Sequence, residues 1–174
     1  MSIKINFEHE QNPYLTGSYA PVKDEITESN LKVIGEIPAD LHGVYVRNGP
    51  NPRHTPEGRH HWFDGDGMLH AVHFEDGKAS YRNRYVRTKA YEMESEAEKG
   101  LWRGLMEPAI HNPRSMPIKD TSNTDVIFHN GQLMALWYLA GQPYRMDPRT
   151  LETIGADDFH GKLKLNVSAH AKVD

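Results

Sequence analysis

The chain has 174 residues and a formal net charge of -4, with 20 Lys and Arg against 24 Asp and Glu. No basic cluster of the kind that follows a phosphate backbone is present, which excludes nucleic acid as the expected partner. The absence of cysteine excludes disulfides and thiolate metal sites, and we expect a reducing, cytoplasmic setting. No apolar run approaches the roughly 20 residues that span a bilayer. Peripheral contact with a membrane surface stays open, because hydropathy does not test it.

The predicted elements are short strands separated by glycine and proline. Residues 31–37 and 43–47 are predicted strands. A hairpin follows over residues 69–87, with Asp76-Gly77 as a tight turn that needs positive φ angles. Residues 89–105 hold the one helix candidate, which we expect to end at Gly100 or Gly104.

The second half of the chain repeats the hairpin pattern. Asn130-Gly131 predicts a second tight turn between two strands, and a third pair of strands is predicted around Asp147-Pro148. A further strand is predicted to start in "LKLNVSAHAKVD", at the end of the chain. Strands at this spacing predict an all-β barrel, sandwich or propeller with one short helical insertion.

Residues 59–74, "RHHWFDGDGMLHAVHF", contain four histidines and two aspartates and raise the question of a metal site. An EF-hand reading fails, because Leu69 stands where that loop requires glycine. His70 and His73 are three residues apart, so on a strand they point to opposite faces. We therefore expect a turn and a strand here, with aspartates accepting backbone amides. The acidic residues 92–98 are expected to form a solvated helix face, and Trp102, Trp137 and Tyr138 to pack in a core or groove.

Five segments in order resemble the amino-terminal third of the carotenoid cleavage oxygenases. They are "GSYAPVKDE", "VIGEIPADLHGVYVRNGPNP", "HHWFDGDGMLHAVHFEDGKASYRNRYVRT", "DTSNTDVIFHNGQLMALWYLAGQPYRMDPRTLETIG" and "SAHAKVD". The resemblance implies the amino-terminal part of a seven-bladed β-propeller. It also implies non-haem Fe(II) held by four histidines, and cleavage of a conjugated C=C bond by dioxygen into two carbonyl products. Residues 1–174 would then be an incomplete portion of one oxygenase domain, inactive and prone to aggregate by itself.

The resemblance assigns site residues one by one. His170 in "SAHAKVD" matches the first iron-binding histidine, and the other three ligands are expected beyond Asp174. Phe63 matches a residue that approaches the substrate cavity. In the stilbene-cleaving branch a tyrosine and a lysine hold the phenol, whereas here Leu105 and Trp137 (or Tyr138) stand at those positions. Apolar walls favour a hydrocarbon polyene, so a carotenoid or apocarotenoid is the expected substrate.

Two alternatives remain open at this point. One is cleavage of lignostilbene-type substrates by the same chemistry. The other is a non-catalytic propeller that binds an apolar ligand without iron, since three of the four expected ligands lie outside the sequence.

Overall fold

The computed structural model describes residues 12–139 and 141–172, which form two antiparallel sheets and one helix. The first sheet has four strands in the order β1-β4-β3-β2. Its strands are β1 (Thr27–Glu28), β2 (Gly43–Asn51), β3 (Asp66–Glu75) and β4 (Lys78–Tyr85). The second sheet is a simple meander in the order β5-β6-β7-β8. Its strands are β5 (Asp125–His129), β6 (Gln132–Leu136), β7 (Tyr144–Met146) and β8 (Thr153–Ala156).

The three predicted strand pairs are confirmed. Asp76 and Gly77 have φ of 49° and 68°, and Asn130 and Gly131 have φ of 49° and 78°. Two successive positive φ angles are the signature of the primed turn whose twist matches that of a hairpin. Between β7 and β8, Asp147 Oδ1 accepts the backbone N–H groups of Arg149 and Thr150, at 2.8 and 2.7 Å.

Two predicted strands are wrong within the described residues. Residues 31–37 form no strand, because after Leu31 donates its N–H to Ala79 O the chain leaves the sheet, and Ile34 is 93% exposed. The segment after β8 makes isolated bridges through Val167 and Ser168 and no strand. Val173 and Asp174, at the end of that prediction, lie outside the described residues.

The helix α1 (Lys89–Ala97) forms as predicted but ends earlier. The side chain of Thr88 accepts the N–H of Tyr91 and begins the helix. Glu98, with φ of 53°, ends it in the left-handed conformation, so the predicted ends at Gly100 and Gly104 are wrong. Instead, these two glycines allow other segments of the chain to pack closely against them. A Cβ at Gly100 would lie 3.1 Å from Thr55 O.

One hydrophobic core joins the two sheets. Its buried side chains come from β3, β6, β7 and the adjoining loops: Leu69, Ala71, Val86, Leu133, Ala135, Tyr144, Met146 and Leu151. A second cluster of Met68, Tyr85 and Tyr91 packs α1 against the first sheet. Asn48 Nδ2 also crosses between the sheets by donating to Ser122 O and Asp125 O. The sheets and helix therefore have fixed relative positions, although neither sheet closes into a ring within the described residues.

Residues 12–139 and 141–172 contain no helix with the length and apolarity needed to cross a bilayer.

Candidate functional site

A cavity of about 200 Å³ opens where the loop after α1 meets the 3-10 turn Trp62–Asp64 and the end of β6. Phe63, Leu105 and Trp137, the three residues expected in a substrate cavity, all line it. They come from three segments that are far apart in sequence, and the fold brings them together. Their contact with a substrate stays a prediction.

Aromatic and backbone contacts hold Phe63 in the cavity wall. Its ring centroid lies 5.4 Å from that of Tyr138 and 4.7 Å from that of His61. Asn123 Nδ2 donates to Phe63 O at 2.9 Å and to Gly65 O at 2.7 Å. Phe63 is therefore fixed by its neighbours while 44% of its surface remains exposed.

Asp64 connects the 3-10 turn to the loop that carries Leu105. Its Oδ1 accepts the N–H of Leu105 and its Oδ2 accepts the N–H of His61, both at 2.8 Å. The approach requires glycine at position 104, because a Cβ on Gly104 would overlap Asp64 Oδ2. The aspartate thus accepts amides, as the sequence predicts.

A buried ionic cluster lies in the same cavity wall. Lys119 Nζ lies 2.7 Å from Asp66 Oδ1 and 2.7 Å from Glu94 Oε2. The three side chains are 13%, 2% and 4% exposed, respectively. Asp66 Oδ2 also accepts the N–H of Arg53, and Glu94 Oε1 accepts that of Leu101. The expectation that residues 92–98 form a solvated face is wrong for Glu94, because the helix buries it toward Lys119.

The charges in this wall follow from burial. Burial by itself lowers the pKa of Lys119, but the carboxylates of Asp66 and Glu94 raise the pKa above its usual value, so the ammonium persists. Burial lowers the pKa of His60 to about 4, against the opposing effect of Asp64. Lys119 therefore remains a charged ammonium between its two acidic partners, and His60 is a neutral imidazole at neutral pH.

Several polar atoms of cavity-lining residues have no hydrogen-bond partner among the described residues. They are His54 Nε2, His60 Nε2, Thr121 Oγ1 and Trp137 Nε1. His60, Thr121 and Trp137 are 4%, 2% and 5% exposed. Each of these atoms has less than 1 Å² of accessible surface, so the four residues line the cavity through their other atoms.

His170 does not line the cavity but lies on the segment beside it. Ala169 donates its N–H to Trp137 O at 3.0 Å, which attaches this segment to the cavity wall. His170 has φ of 67° and donates its own N–H to Asp125 Oδ2 at 3.0 Å. Its side chain is 71% exposed, and Nδ1 lies 3.8 Å from the same oxygen, beyond a direct hydrogen bond.

The other histidines of residues 59–74 have separate environments. His61 Nδ1 accepts the N–H of Phe63, and His70 Nδ1 lies 2.6 Å from Tyr81 Oη. Within residues 12–139 and 141–172, no group of three or more His, Cys, Asp or Glu side chains is arranged to hold a metal. That His170 binds iron stays a prediction.

The ionic cluster, His60 and Thr121 were not singled out from the sequence. One signal did exist for Glu94: Ala90, Tyr91 and Glu94 are the buried residues of α1, and their spacing is that of a helix face. An acidic residue on the face of Ala90 and Tyr91 implies a buried cationic partner. Its identity as Lys119, 25 residues further on, depends on the tertiary fold.

Comparisons with known proteins identify the relatives of this chain. The family model described as retinal pigment epithelial membrane protein matches residues 19–174. A resveratrol cleavage oxygenase of Aspergillus fumigatus is 41% identical, over 93% of this chain and 32% of its own length. A carotenoid cleavage oxygenase of Mycobacterium tuberculosis is 42% identical, over 94% of this chain and 31% of its own length.

Solved structures agree with these sequence relatives. The crystal structure of Pseudomonas brassicacearum lignostilbene dioxygenase superposes with a TM-score of 0.85 and 34% identity, over 94% of this chain and 35% of that one. The chain thus spans about a third of the length of the proteins that it matches.

Proposed function

The chain belongs to the carotenoid cleavage oxygenase family, which is the family that the matching model describes. We therefore propose that it forms part of a non-haem Fe(II)-dependent dioxygenase. The reaction is cleavage of a conjugated C=C bond. The C=C bond and the O–O bond of dioxygen break, two C=O bonds form, and both oxygen atoms remain in the products. In this proposal residues 1–174 form the amino-terminal part of a seven-bladed propeller.

One observation carries the proposal. Phe63, Leu105 and Trp137 line a single cavity, and the Ala169–Trp137 hydrogen bond attaches the segment of His170 to its wall. At about 200 Å³ the cavity is smaller than the roughly 300–1,000 Å³ of a typical ligand pocket. It therefore suits one end of an elongated substrate, with the rest of the molecule extending outside the described residues.

His170 is the proposed iron ligand of this chain. An imidazole nitrogen is a suitable ligand for Fe(II), and the exposure of the side chain leaves it accessible to a metal. When bound, Fe(II) supplies the activation of dioxygen. The backbone contact of His170 with Asp125 orients the residue without blocking its ring, while the cavity wall positions the substrate and excludes water from its end.

The preferred substrate is a carotenoid or apocarotenoid. Leu105 is a hydrocarbon side chain, and Trp137 offers mostly apolar surface, so neither supplies a charge for a phenolate. Cleavage of a stilbene is the second candidate. The TM-score of 0.85 with a lignostilbene dioxygenase and the 41% identity with a resveratrol cleavage oxygenase favour it.

Composition and substrate chemistry bear on the localisation of the protein. The lack of cysteine supports a cytoplasmic location. Peripheral contact with membrane is proposed because a polyene substrate partitions into lipid.

The decisive experiment uses the full-length protein that contains this chain. Purified protein is supplied with Fe(II), dioxygen and either an apocarotenal or a hydroxylated stilbene, and the products are identified by mass spectrometry. We expect two carbonyl products from one substrate class, each with one oxygen from labelled dioxygen. Intact substrate in both incubations would refute the proposed activity.

The metal assignment has its own test. His170→Ala should abolish iron retention in the full-length protein, measured as bound iron per polypeptide. His129→Ala removes an exposed histidine of β5 that does not line the cavity, so this matched control should retain iron. Full iron occupancy in His170→Ala would remove this residue from the site.

A further inference from the structure

A smaller pocket lies on the first sheet, at its β1 edge and away from the cavity. Its volume is about 110 Å³, and it is lined by Thr27, Ser29, His73, Ser80, Tyr81 and Arg82. None of these residues lines the cavity described above. Along β3, His73 lies seven residues from Asp66 of the cavity wall, which is about 23 Å of extended strand. The pocket is therefore separate from the candidate active site.

Two arginines of β4 have their charges side by side at this pocket. Arg82 and Arg84 are two residues apart, so their side chains leave the same face of the strand. Arg82 Nε and Arg84 Nη2 both donate to Thr27 Oγ1, at 3.3 and 2.9 Å. Their other hydrogen bonds within residues 12–139 and 141–172 go to backbone carbonyls. Neither arginine forms an ion pair with a carboxylate of the described residues, so two positive charges are adjacent without a counter-charge there.

The imidazole of His73 responds to this charge. Burial lowers the pKa of His73, and the positive charge of Arg82 lowers the same pKa further. Both effects keep His73 neutral at neutral pH, so it does not add to the positive charge of the pocket. Arg82 therefore acts on the lining as an uncompensated cation.

The rest of the lining supplies hydroxyl groups, from Thr27, Ser29 and Ser80. The two guanidinium groups use both acceptor positions of the Thr27 hydroxyl, so its O–H is left to donate. Arg82 uses two of its five N–H donors within the described part of the chain, on Thr27 Oγ1 and on Arg149 O. This excess of donors beside a positive charge matches a ligand that is anionic and only accepts hydrogen bonds.

We propose that this pocket binds a single phosphate group through the guanidinium of Arg82 and the hydroxyls of Thr27 and Ser80. The planar fork of a guanidinium matches two phosphate oxygens at once, and the hydroxyls reach the others. The pocket volume of about 110 Å³ lies well below the roughly 300–1,000 Å³ of an organic ligand pocket, and so suits one small group. Thr27 and Ser29 are exposed, which leaves room for an organic part outside the pocket.

The phosphate is either free inorganic phosphate or the end group of a phosphate monoester, and both present the same chemistry to the protein. This site is independent of the proposed dioxygenase reaction, so each can fail without the other.

Calorimetric titration of the full-length protein tests the site. Inorganic phosphate and glycerol 3-phosphate are the two probes, and sodium chloride keeps the ionic strength constant, so that general screening does not imitate binding. We expect one bound phosphate group per chain and a higher Tm at saturating phosphate, because the ligand binds the folded chain. The probe that binds more tightly identifies the source of the phosphate.

Two variants locate the binding. Arg82→Gln removes the charge and should raise the dissociation constant about tenfold or more, as the loss of a charge-assisted hydrogen bond implies. Ser80→Ala removes one hydroxyl and should raise the dissociation constant several-fold. Because this hydroxyl has no partner within the described residues, Ser80→Ala should fold normally and keeps the test valid if Arg82→Gln does not fold. Arg114→Gln is the matched control, since it removes the same charge from an exposed arginine outside both pockets.

Three outcomes would overturn the site. The absence of binding of either probe would show that Arg82 is paired with another group of the full-length protein. Unchanged binding in the folded variants Arg82→Gln and Ser80→Ala would mean that phosphate binds elsewhere. Equal weakening in Arg114→Gln and Arg82→Gln would show a response to net charge, and hence an adventitious ion only.

Discussion

The cavity wall and the segment of His170 are neighbours, but they differ in how their side chains are stabilised. The wall contains Lys119, Asp66 and Glu94, which are almost fully buried and ion-paired at 2.7 Å. His170 is 71% exposed, and the side chain makes no direct hydrogen bond among the described residues. The described residues therefore fix the cavity wall through buried ion pairs, whereas they leave the imidazole of His170 accessible.

The largest expected effect is on the ionic cluster. Lys119→Met leaves two carboxylates buried without their cation, which should lower the free energy of unfolding by about 3–5 kcal/mol. Chemical denaturation of the full-length protein measures the loss. The matched control is Arg59→Met, because Arg59 pairs with Glu107 at 47% exposure and its loss should cost about 1 kcal/mol or less. Similar losses in both variants would show that the cluster is no stronger than a surface pair.

The second effect is a pH dependence carried by His60. Its pKa is about 4 in the folded chain, against 6.5 for an unperturbed histidine. Between pH 6.5 and pH 4 His60 therefore binds a proton in the unfolded chain but not in the folded chain. The free energy of unfolding therefore falls as the pH decreases toward 4. The total loss is about 3 kcal/mol.

His60→Leu removes this contribution. The unfolding free energy of this variant, followed from pH 7.5 to 4.5, should decline less steeply than that of the wild type. His70, whose pKa burial also lowers to about 4, is present in both proteins and cancels in the comparison. Parallel curves would contradict the buried, neutral state of His60.

A smaller effect is expected at Gly104. In Gly104→Ala the new Cβ displaces Asp64 and weakens its bonds to the amides of His61 and Leu105. We expect a loss of about 1–3 kcal/mol in thermal or chemical denaturation. Gly100→Ala is the graded control, since its Cβ would lie a tight 3.1 Å from Thr55 O without the overlap found at Gly104. An equal loss at both glycines would mean that the Asp64 contact is not specific.

The smallest effect on stability is expected at His170. His170→Ala keeps the backbone bond to Asp125 and should change the free energy of unfolding by no more than about 0.5 kcal/mol. Asp125→Ala should cost more, about 1 kcal/mol, because its carboxylate accepts the N–H groups of Val126 and His170. A loss of several kcal/mol in His170→Ala would place this residue with the cavity wall as a structural element.

Local chemistry made much of the fold predictable. Asp76-Gly77 and Asn130-Gly131 adopt the predicted positive φ angles, because few other residue pairs favour a primed turn. Local composition also predicted a strand over residues 31–37, which does not form. Their composition suits a strand, but a strand also needs a neighbouring edge with which to pair, and here the chain leaves the sheet after Leu31.

The helix shows the same limit at its end. Its position over Lys89–Ala97 follows from its composition, and Thr88 begins it. Gly100 and Gly104 resembled helix terminators, yet both are glycine because other chain segments pack against them. The local sequence does not distinguish a glycine that allows close approach of a distant segment from a glycine that ends a helix.

The sequence alone determined the family, the alternating strands and turns, and the three candidate cavity residues Phe63, Leu105 and Trp137. The strands and turns depend on residue identity and on neighbours along the chain, whereas the family and the three cavity residues were assigned through the resemblance to known sequences. The tertiary structure decided that these three residues share one cavity, that Glu94 is buried against Lys119, and that polar atoms of His60 and Thr121 have no partner among the residues that the structure describes. Burial and long-range pairing create those features. The free energy of a charge or a polar atom in the folded chain depends on the groups that folding brings near it.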